Sequence, residues 1–203
     1  MGGIDAEELQ NARPLLRHLT HLTFGPGHKL TKDVLLETFL CIPKLEDLTV
    51  FYDNFVNGNV DNPGFLEIVR GAKEQGLPKL RSIIIQHQGI GTAHQFSDFF
   101  TWIDALSARS PLERLEIHSD DGRKSYFDHS ILETLKRKQL TLRRLVMPRV
   151  LVRREALLLF LQTMRLEELR IGVDKPKVKV DAGKLPVAGW MMQSASVYSQ
   201  GAR

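Results

Sequence analysis

A six-residue phrase of the form Leu-x-x-Leu-x-Ile constrains the fold more than any other feature of the chain. It occurs six times, with first positions 24 to 35 residues apart, and apolar residues fill every first, fourth and sixth position. The copies span residues 19–24, 45–50, 80–85, 112–117, 142–147 and 166–171. A phrase that recurs at this interval predicts stacked structural repeats, because one such unit cannot bury its own apolar face.

Each copy of the phrase alternates like a strand, whose successive side chains point to opposite faces. Between copies the apolar residues recur at three and four positions, which predicts helices. This alternation of strand and helix is typical of leucine-rich repeats. We therefore predict an α/β leucine-rich-repeat solenoid, a horseshoe of about six irregular repeats. Parallel strands should line its concave face and helices its convex face, since helices need more room than strands.

The chain divides into three predicted segments. Residues 1–14 should hold an N-terminal helix, either a cap or the remnant of a preceding repeat, because residues 4–12 contain good helix formers. The repeats predict a leucine-rich-repeat domain over residues 15–174. Residues 175–203 should form a C-terminal cap and a flexible tail, because the phrase stops and the last residues are small and polar.

The cysteine content and the lack of recognisable targeting segments predict an intracellular protein, cytoplasmic or nuclear. Cys41 is the single cysteine of the 203 residues, so no disulfide can form within the chain. The acidic start lacks the basic and apolar regions of a signal peptide. No apolar run reaches the length of about 18 residues that a membrane-spanning helix needs.

The outward residues of the predicted strands, at the third, fifth and seventh positions, form the concave face. These residues mix both charges with a few apolar side chains, which suits a partner protein. A phosphate backbone would need a run of Lys and Arg, so binding of nucleic acid by this face is not expected. The simpler alternative is a set of solvated strand positions. The predicted partner-binding residues are Asp47, Phe51, Gln86, Arg114, Glu116, His118, Arg144 and Arg170.

A basic stretch over residues 136–154 offers an alternative site, for nucleic acid or another acidic partner. It holds eight basic residues and no acid, although the net charge of the whole chain is only +4. Lys136, Arg137 and Lys138 fall at a predicted helix end, where cations interact favourably with the dipole. A scatter of separate solvated cations is the simpler interpretation.

The sequence predicts no catalytic, cofactor-binding or metal-binding residues. His118-Ser-Asp-Asp121 holds imidazole, hydroxyl and carboxyl groups, but neighbours in a strand-to-loop turn point in different directions. His18 and His21 have no third ligand at a matching spacing, and no glycine-rich phosphate loop is present. We therefore expect a protein that is not an enzyme and needs no cofactor.

Residues 30–50 resemble a repeat of the fungal F-box proteins that carry leucine-rich repeats. The resemblance rests on Cys-x-Pro-x-Leu-x-x-Leu-x-Val at residues 41–50 and on its echoes at 77–80 and 110–112, and it covers roughly residues 14–174. In that family the F-box recruits a ubiquitin ligase scaffold and the repeats hold the protein to be ubiquitinated. The resemblance implies a substrate-recognition module, with the scaffold as a second partner if an F-box lies upstream. No Leu-Pro-x-Glu motif near the start of this sequence marks an F-box.

The strand assignment also predicts how two neighbouring residues respond to substitution. Leu115→Asp should unfold or loosen the stack, because it places an unpaired charge in the core. Glu116→Ala, on the outward face, should change stability by no more than about 0.5 kcal/mol.

Overall fold

The computed structural model describes residues 6–26, 28, 30–52, 63–87, 93–119, 125–126, 129–152 and 154–173. Its strands are β1 (His21–Phe24), β2 (Asp47–Tyr52), β3 (Ser82–His87), β4 (Arg114–Ser119), β5 (Ser125–Tyr126), β6 (Arg144–Val152) and β7 (Glu168–Val173). Its helices are α1 (Ala6–Leu16), α2 (Lys32–Leu40), α3 (Pro63–Gln75), α4 (Ala93–Ser107), α5 (His129–Lys136) and α6 (Arg154–Thr163). The predicted α/β class is confirmed.

The seven described strands form one sheet in which every pairing is parallel. Strands β1, β2, β3, β4 and β6 are neighbours in that order, and both β5 and β7 pair with β6. The six copies of the phrase pair in register, so that equivalent positions lie opposite each other. The third positions form the row His21, Asp47, Ser82, Arg114, Arg144 and Glu168.

A repeated backbone contact holds the entry of each strand against the next. The carbonyl oxygen of Thr20 accepts hydrogen bonds from the backbone N–H groups of Glu46 and Asp47, at 2.7 and 3.0 Å. The carbonyls of Glu46, Arg81, Glu113 and Arg143 each accept the same pair of bonds from the following copy. Because the contact recurs between all six copies, each copy docks on its neighbour in the same way.

The core lies between the sheet and the helices, where the phrase predicts it. From the second copy to the sixth, no side chain at a fourth or sixth position is more than 9% exposed. Phe39 of α2 and Trp102 of α4 are buried against each other, with ring centroids 5.9 Å apart. The indole N–H of Trp102 donates to the carbonyl of Lys32 at 3.1 Å, which satisfies the polar group of a buried aromatic residue.

Local sequence signals fix several helix ends. Thr31 caps α2 by accepting a bond from the backbone N–H of Val34. Helix α3 begins at Pro63 and is followed by Gly76, whose φ of +57° lies in the left-handed region that glycine adopts readily. Helix α1 extends to Leu16 and so crosses the predicted boundary at residue 14. The predicted cap and tail over residues 175–203 lie outside the described residues.

Candidate functional site on the open face of the sheet

The face of the sheet that points away from the core carries the third and fifth positions of the phrase and the residue that follows each copy, and we call it the open face. Arg114 and Arg144 are opposite each other in the third-position row, and Ile84 lies opposite Glu116 in the fifth. Strand alternation places these side chains on the side opposite Leu115 and Ile117, which are buried.

Glu116 stands at the centre of the charged part of the open face. Its Oε1 accepts hydrogen bonds from Arg114 Nε at 2.7 Å and from Arg144 Nε at 2.6 Å. Its Oε2 lies 3.0 Å from His118 Nε2. The side chain is only 6% exposed, because these long neighbours lie over it. One carboxylate therefore binds three side chains from two strands.

The contacts continue onto the last strand. Arg144 also reaches Glu168 of β7, with 2.7 Å between Nη1 and Oε2. Arg170 Nε lies 2.7 Å from Glu168 Oε1, close enough for charge pairing. We call this set the ion-pair network: Arg114, Glu116, His118, Arg144, Glu168 and Arg170.

The network keeps Glu116 ionised at neutral pH. Burial by itself raises the pKa of this carboxyl group, since it removes water from the charged form. Hydrogen bonds from Arg114 and His118, together with the charges of Arg114 and Arg144, outweigh burial and lower the pKa of Glu116 from 4.5 to about 2. The carboxylate is therefore a fixed negative charge beneath the arginines.

The expected exposure of the outward positions is wrong for Glu116, Val146 and Ser82. These residues are 5%, 3% and 7% exposed, respectively. The phrase assigns them correctly to the open face, but it does not say which long side chains from adjacent strands lie over them. Glu116 therefore lies beneath Arg114 and Arg144 and positions their side chains. The exposure on which the expected small effect of Glu116→Ala was based is absent.

Three predicted partner-binding residues lie outside the ion-pair network. Asp47 pairs with His21 at 2.9 Å, at the β1 end of the sheet. Phe51 is half-buried, and its carbonyl oxygen lies 2.6 Å from His28 Nε2. Gln86 is exposed on β3, directly opposite His118 of β4. The remaining five predicted residues, Arg114, Glu116, His118, Arg144 and Arg170, are brought together.

Two features of the structure were not predicted from the sequence. Glu168 joins the network although it was not singled out, and its register opposite Arg144 was the available signal. A second charge cluster lies among the helices, where Asp104 of α4 pairs with Lys73 and Arg137, each at 2.9 Å. With the buried Lys138, these residues line a cleft of about 350 Å³. Since they come from α3, from α4 and from the turn after α5, no local pattern could have found them.

Ionisation in this helix-side cluster follows from its contacts. Burial raises the pKa of Asp104, but hydrogen bonds and charges from Lys73 and Arg137 outweigh it, and the net pKa is lowered. Burial also lowers the pKa of Lys138, whose amine donates to the carbonyl oxygen of Ser107 at the end of α4. A cation at a helix C-terminus is a common stabilising arrangement.

The basic stretch 136–154 is divided between these two places. Lys136 pairs with Glu133, Arg137 with Asp104, and Lys138 with the Ser107 carbonyl, all on the helix side. Arg144 belongs to the ion-pair network, and Arg143 lies 4.0 Å from Glu167. The side chains of Arg149, Arg153 and Arg154 lie outside the described part. The described cations of the basic stretch therefore do not lie on one surface.

Among the described residues, no group of three or more His, Cys, Asp or Glu side chains is placed to hold a metal ion. No helix in the same ranges is long and apolar enough to cross a membrane. Comparison with known proteins finds no matching family model, curated protein or solved structure. The function of the chain must therefore be inferred from the geometry of its open face.

Proposed function

We propose that the protein is a non-catalytic binding module that recognises another protein through the open face of its sheet. The observation that carries the proposal is the contrast between the two faces. One is closed by the core, while the other presents in-register rows of side chains, including three arginines that are 40 to 47% exposed. The exposed arginines support the proposal, because arginine is enriched at protein interfaces.

The proposal includes the finer architecture, a leucine-rich-repeat solenoid with the open face on its concave side. Two observations support it: the register of the six copies and the strand-entry contact that recurs between all of them. Solenoids of this kind use their concave surface for binding, because the curvature lets many strands contact one partner. Under this proposal each repeat contributes two or three side chains to the interface.

The resemblance to F-box proteins adds a more specific role, that of the substrate-recognition part of a ubiquitin ligase. In that role the partner on the open face is the protein to be ubiquitinated, and a ligase scaffold is recruited by an F-box elsewhere. Co-purification of a ligase scaffold with the open-face partner would support this role. A partner captured without any scaffold would favour a binding module that works outside ubiquitination.

A pair of matched substitutions tests the open face as the binding surface. Gln86 is exposed at its centre and Gln75 is exposed at the end of α3, on the helix side. Gln86→Trp adds a bulky uncharged side chain where the partner should lie, and Gln75→Trp adds the same group elsewhere. Quantitative affinity capture should show partners that the wild-type protein and Gln75→Trp retain and Gln86→Trp loses. Partners lost from Gln75→Trp but retained by Gln86→Trp, or no specific partner at all, would overturn the proposal.

A further inference from the structure

The three arginines of the ion-pair network lie close together on consecutive strands of the sheet. Arg114 and Arg144 are register partners on β4 and β6, and Arg170 lies on β7, two residues beyond the partner of Arg144. With strands about 4.8 Å apart and residues about 3.3 Å apart along each strand, the three Cα atoms lie within ~12 Å of one another. A short peptide segment can reach all three side chains at once.

The cations of the network meet the solvent, while its carboxylates lie beneath them. The side chains of Arg114, Arg144 and Arg170 are 42%, 40% and 47% exposed, whereas Glu116 is 6% exposed. Glu168 is also the less exposed member of its pairs, at 21%. A molecule that approaches the open face here encounters guanidinium groups first, and three cations outnumber two carboxylates.

The arginines also keep hydrogen-bonding capacity for a ligand. Each guanidinium carries five N–H donors in a planar fork, and the pairs with Glu116 and Glu168 engage Arg114 and Arg170 through Nε. These pairs restrict the arginine side chains before any partner arrives, so binding costs less conformational entropy. A planar, oriented guanidinium recognises a carboxylate through two parallel hydrogen bonds.

The surroundings do not oppose an acidic ligand. On the neighbouring strand β3, the outward residues Ser82, Ile84 and Gln86 carry no charge. At the strand entries, Glu113 lies 3.7 Å from Arg81 and Glu167 lies 4.0 Å from Arg143, so each of these acids has a cation beside it. The local balance of the open face is therefore positive at the arginines and near neutral around them.

We propose that Arg114, Arg144 and Arg170 bind an acidic segment of the partner protein, with carboxylates on alternate residues of an extended chain. This inference rests on the proposed function and names the chemistry of the partner. Alternate side chains of an extended peptide are about 6.6 Å apart on one side. That distance lies between the ~4.8 Å and ~8 Å separations of neighbouring arginine Cα atoms in the sheet.

The test uses the full chain and a labelled peptide that alternates glutamate and serine. A peptide of the same length with glutamine in place of glutamate is the neutral control. Fluorescence anisotropy at low salt should show at least about tenfold tighter binding of the acidic peptide, and added salt should weaken it. Equal binding of the two peptides would overturn the inference.

Matched variants locate the peptide on the protein. Arg114→Gln combined with Arg170→Gln should weaken binding of the acidic peptide at least about fivefold. This variant leaves Arg144 in contact with both glutamates, so we expect it to stay folded. Arg70→Gln combined with Arg165→Gln removes two exposed arginines outside the open face, and should bind like the wild type. Equal loss in the two double variants would show a general charge effect and overturn the inference.

Two further outcomes separate this inference from the proposed function. If Arg114→Gln combined with Arg170→Gln still captures the partners that Gln86→Trp loses, the open face binds proteins but not through an acidic segment. If an oligonucleotide competes with the acidic peptide at much lower concentration than the unlabelled peptide does, the arginines are a phosphate site and the inference fails. The melting temperature of each variant, measured in parallel, shows whether lost binding reflects unfolding.

Discussion

At the scale of single residues, the carboxylate of Glu116 separates positive side chains that would otherwise repel one another. Glu116→Ala leaves Arg114 and Arg144 without their shared acceptor on a partly buried surface. We expect the free energy of unfolding to fall by about 2 kcal/mol. Urea denaturation measures the change. As a control, Glu167→Ala removes a carboxylate that is 76% exposed and 4.0 Å from its partner, and should cost less than about 0.5 kcal/mol. Equal losses in the two variants would show that Glu116 is no more important than a surface acid.

Glu116 also makes stability depend on pH in a defined window. Its pKa in the folded protein, about 2, lies below the ordinary value of 4.5, so the folded state favours the ionised form. The stabilisation is complete above pH 4.5 and is lost as the pH falls from 4.5 towards 2. It amounts to no more than about 3 kcal/mol, and less where water screens the pairs.

The variant Glu116→Gln tests this linkage, because it keeps the shape of the side chain and removes its titration. We expect the difference in unfolding free energy between wild type and variant to shrink as the pH falls through this window. Asp104, whose pKa is also lowered, remains in both proteins and cancels in the comparison. A difference that stays constant between about pH 6 and about pH 2.5, a range that covers most of this window, would contradict the role of Glu116.

At the scale of the elements, the end of α3 depends on one backbone conformation. Gly76 has a φ of +57°, and a Cβ built at this position would lie 2.8 Å from Arg109 Cβ. Gly76→Ala therefore combines a strained backbone with a close contact, and should destabilise the protein by about 1–2 kcal/mol or more. Gly71→Ala, in the same helix, meets nothing within 4 Å and should stabilise by up to about 1 kcal/mol. Thermal denaturation of both variants gives the signs, and two shifts of the same sign would contradict this account of the helix end.

The elements also show how far the sequence predicts this fold. The strands carrying the phrase are confirmed, because apolar alternation is a local property that reflects which side of a strand meets the core. Strand β5 has two residues and was not predicted, since Ser125 and Tyr126 carry no apolar pattern and pair with Val150 and Leu151 of β6, which are distant in sequence. The phrase ends at residue 147, but β6 continues to Val152, because it pairs with β4 over its first three residues and with β5 further on. Pairing of this kind depends on distant residues.

The same limit holds for the site. The sequence placed Arg114, Glu116, Arg144 and Arg170 on one face, because alternation and register follow from the phrase. It did not reveal that Glu116 lies beneath the arginines, since that depends on long side chains reaching across strands. The cluster around Asp104 has no local signal, because its partners come from α3 and the end of α5.

At the scale of the whole molecule, the two faces of the sheet should differ strongly in how far the same new residue destabilises the protein. Leu115 is fully buried in β4, which pairs with both β3 and β6. Leu115→Asp places a charge with no partner in the continuous core and should cost more than about 4 kcal/mol. Gln86→Asp puts the same carboxylate on the open face opposite His118, and should cost less than about 1 kcal/mol.

Hydrogen exchange measured along the chain gives the extent of each effect. The buried residues of β3, β4 and β6 belong to one core cluster, so the loss at Leu115 should reach β3 and β6 as well as β4. Exchange in Gln86→Asp should change only near β3. If Leu115→Asp kept wild-type protection in the flanking strands, β4 would not be central to the stability of the sheet. Arg114 and Arg144 are neighbours because β4 pairs with β6. Loss of this pairing would therefore also separate the residues of the ion-pair network, to which we propose that the acidic segment binds.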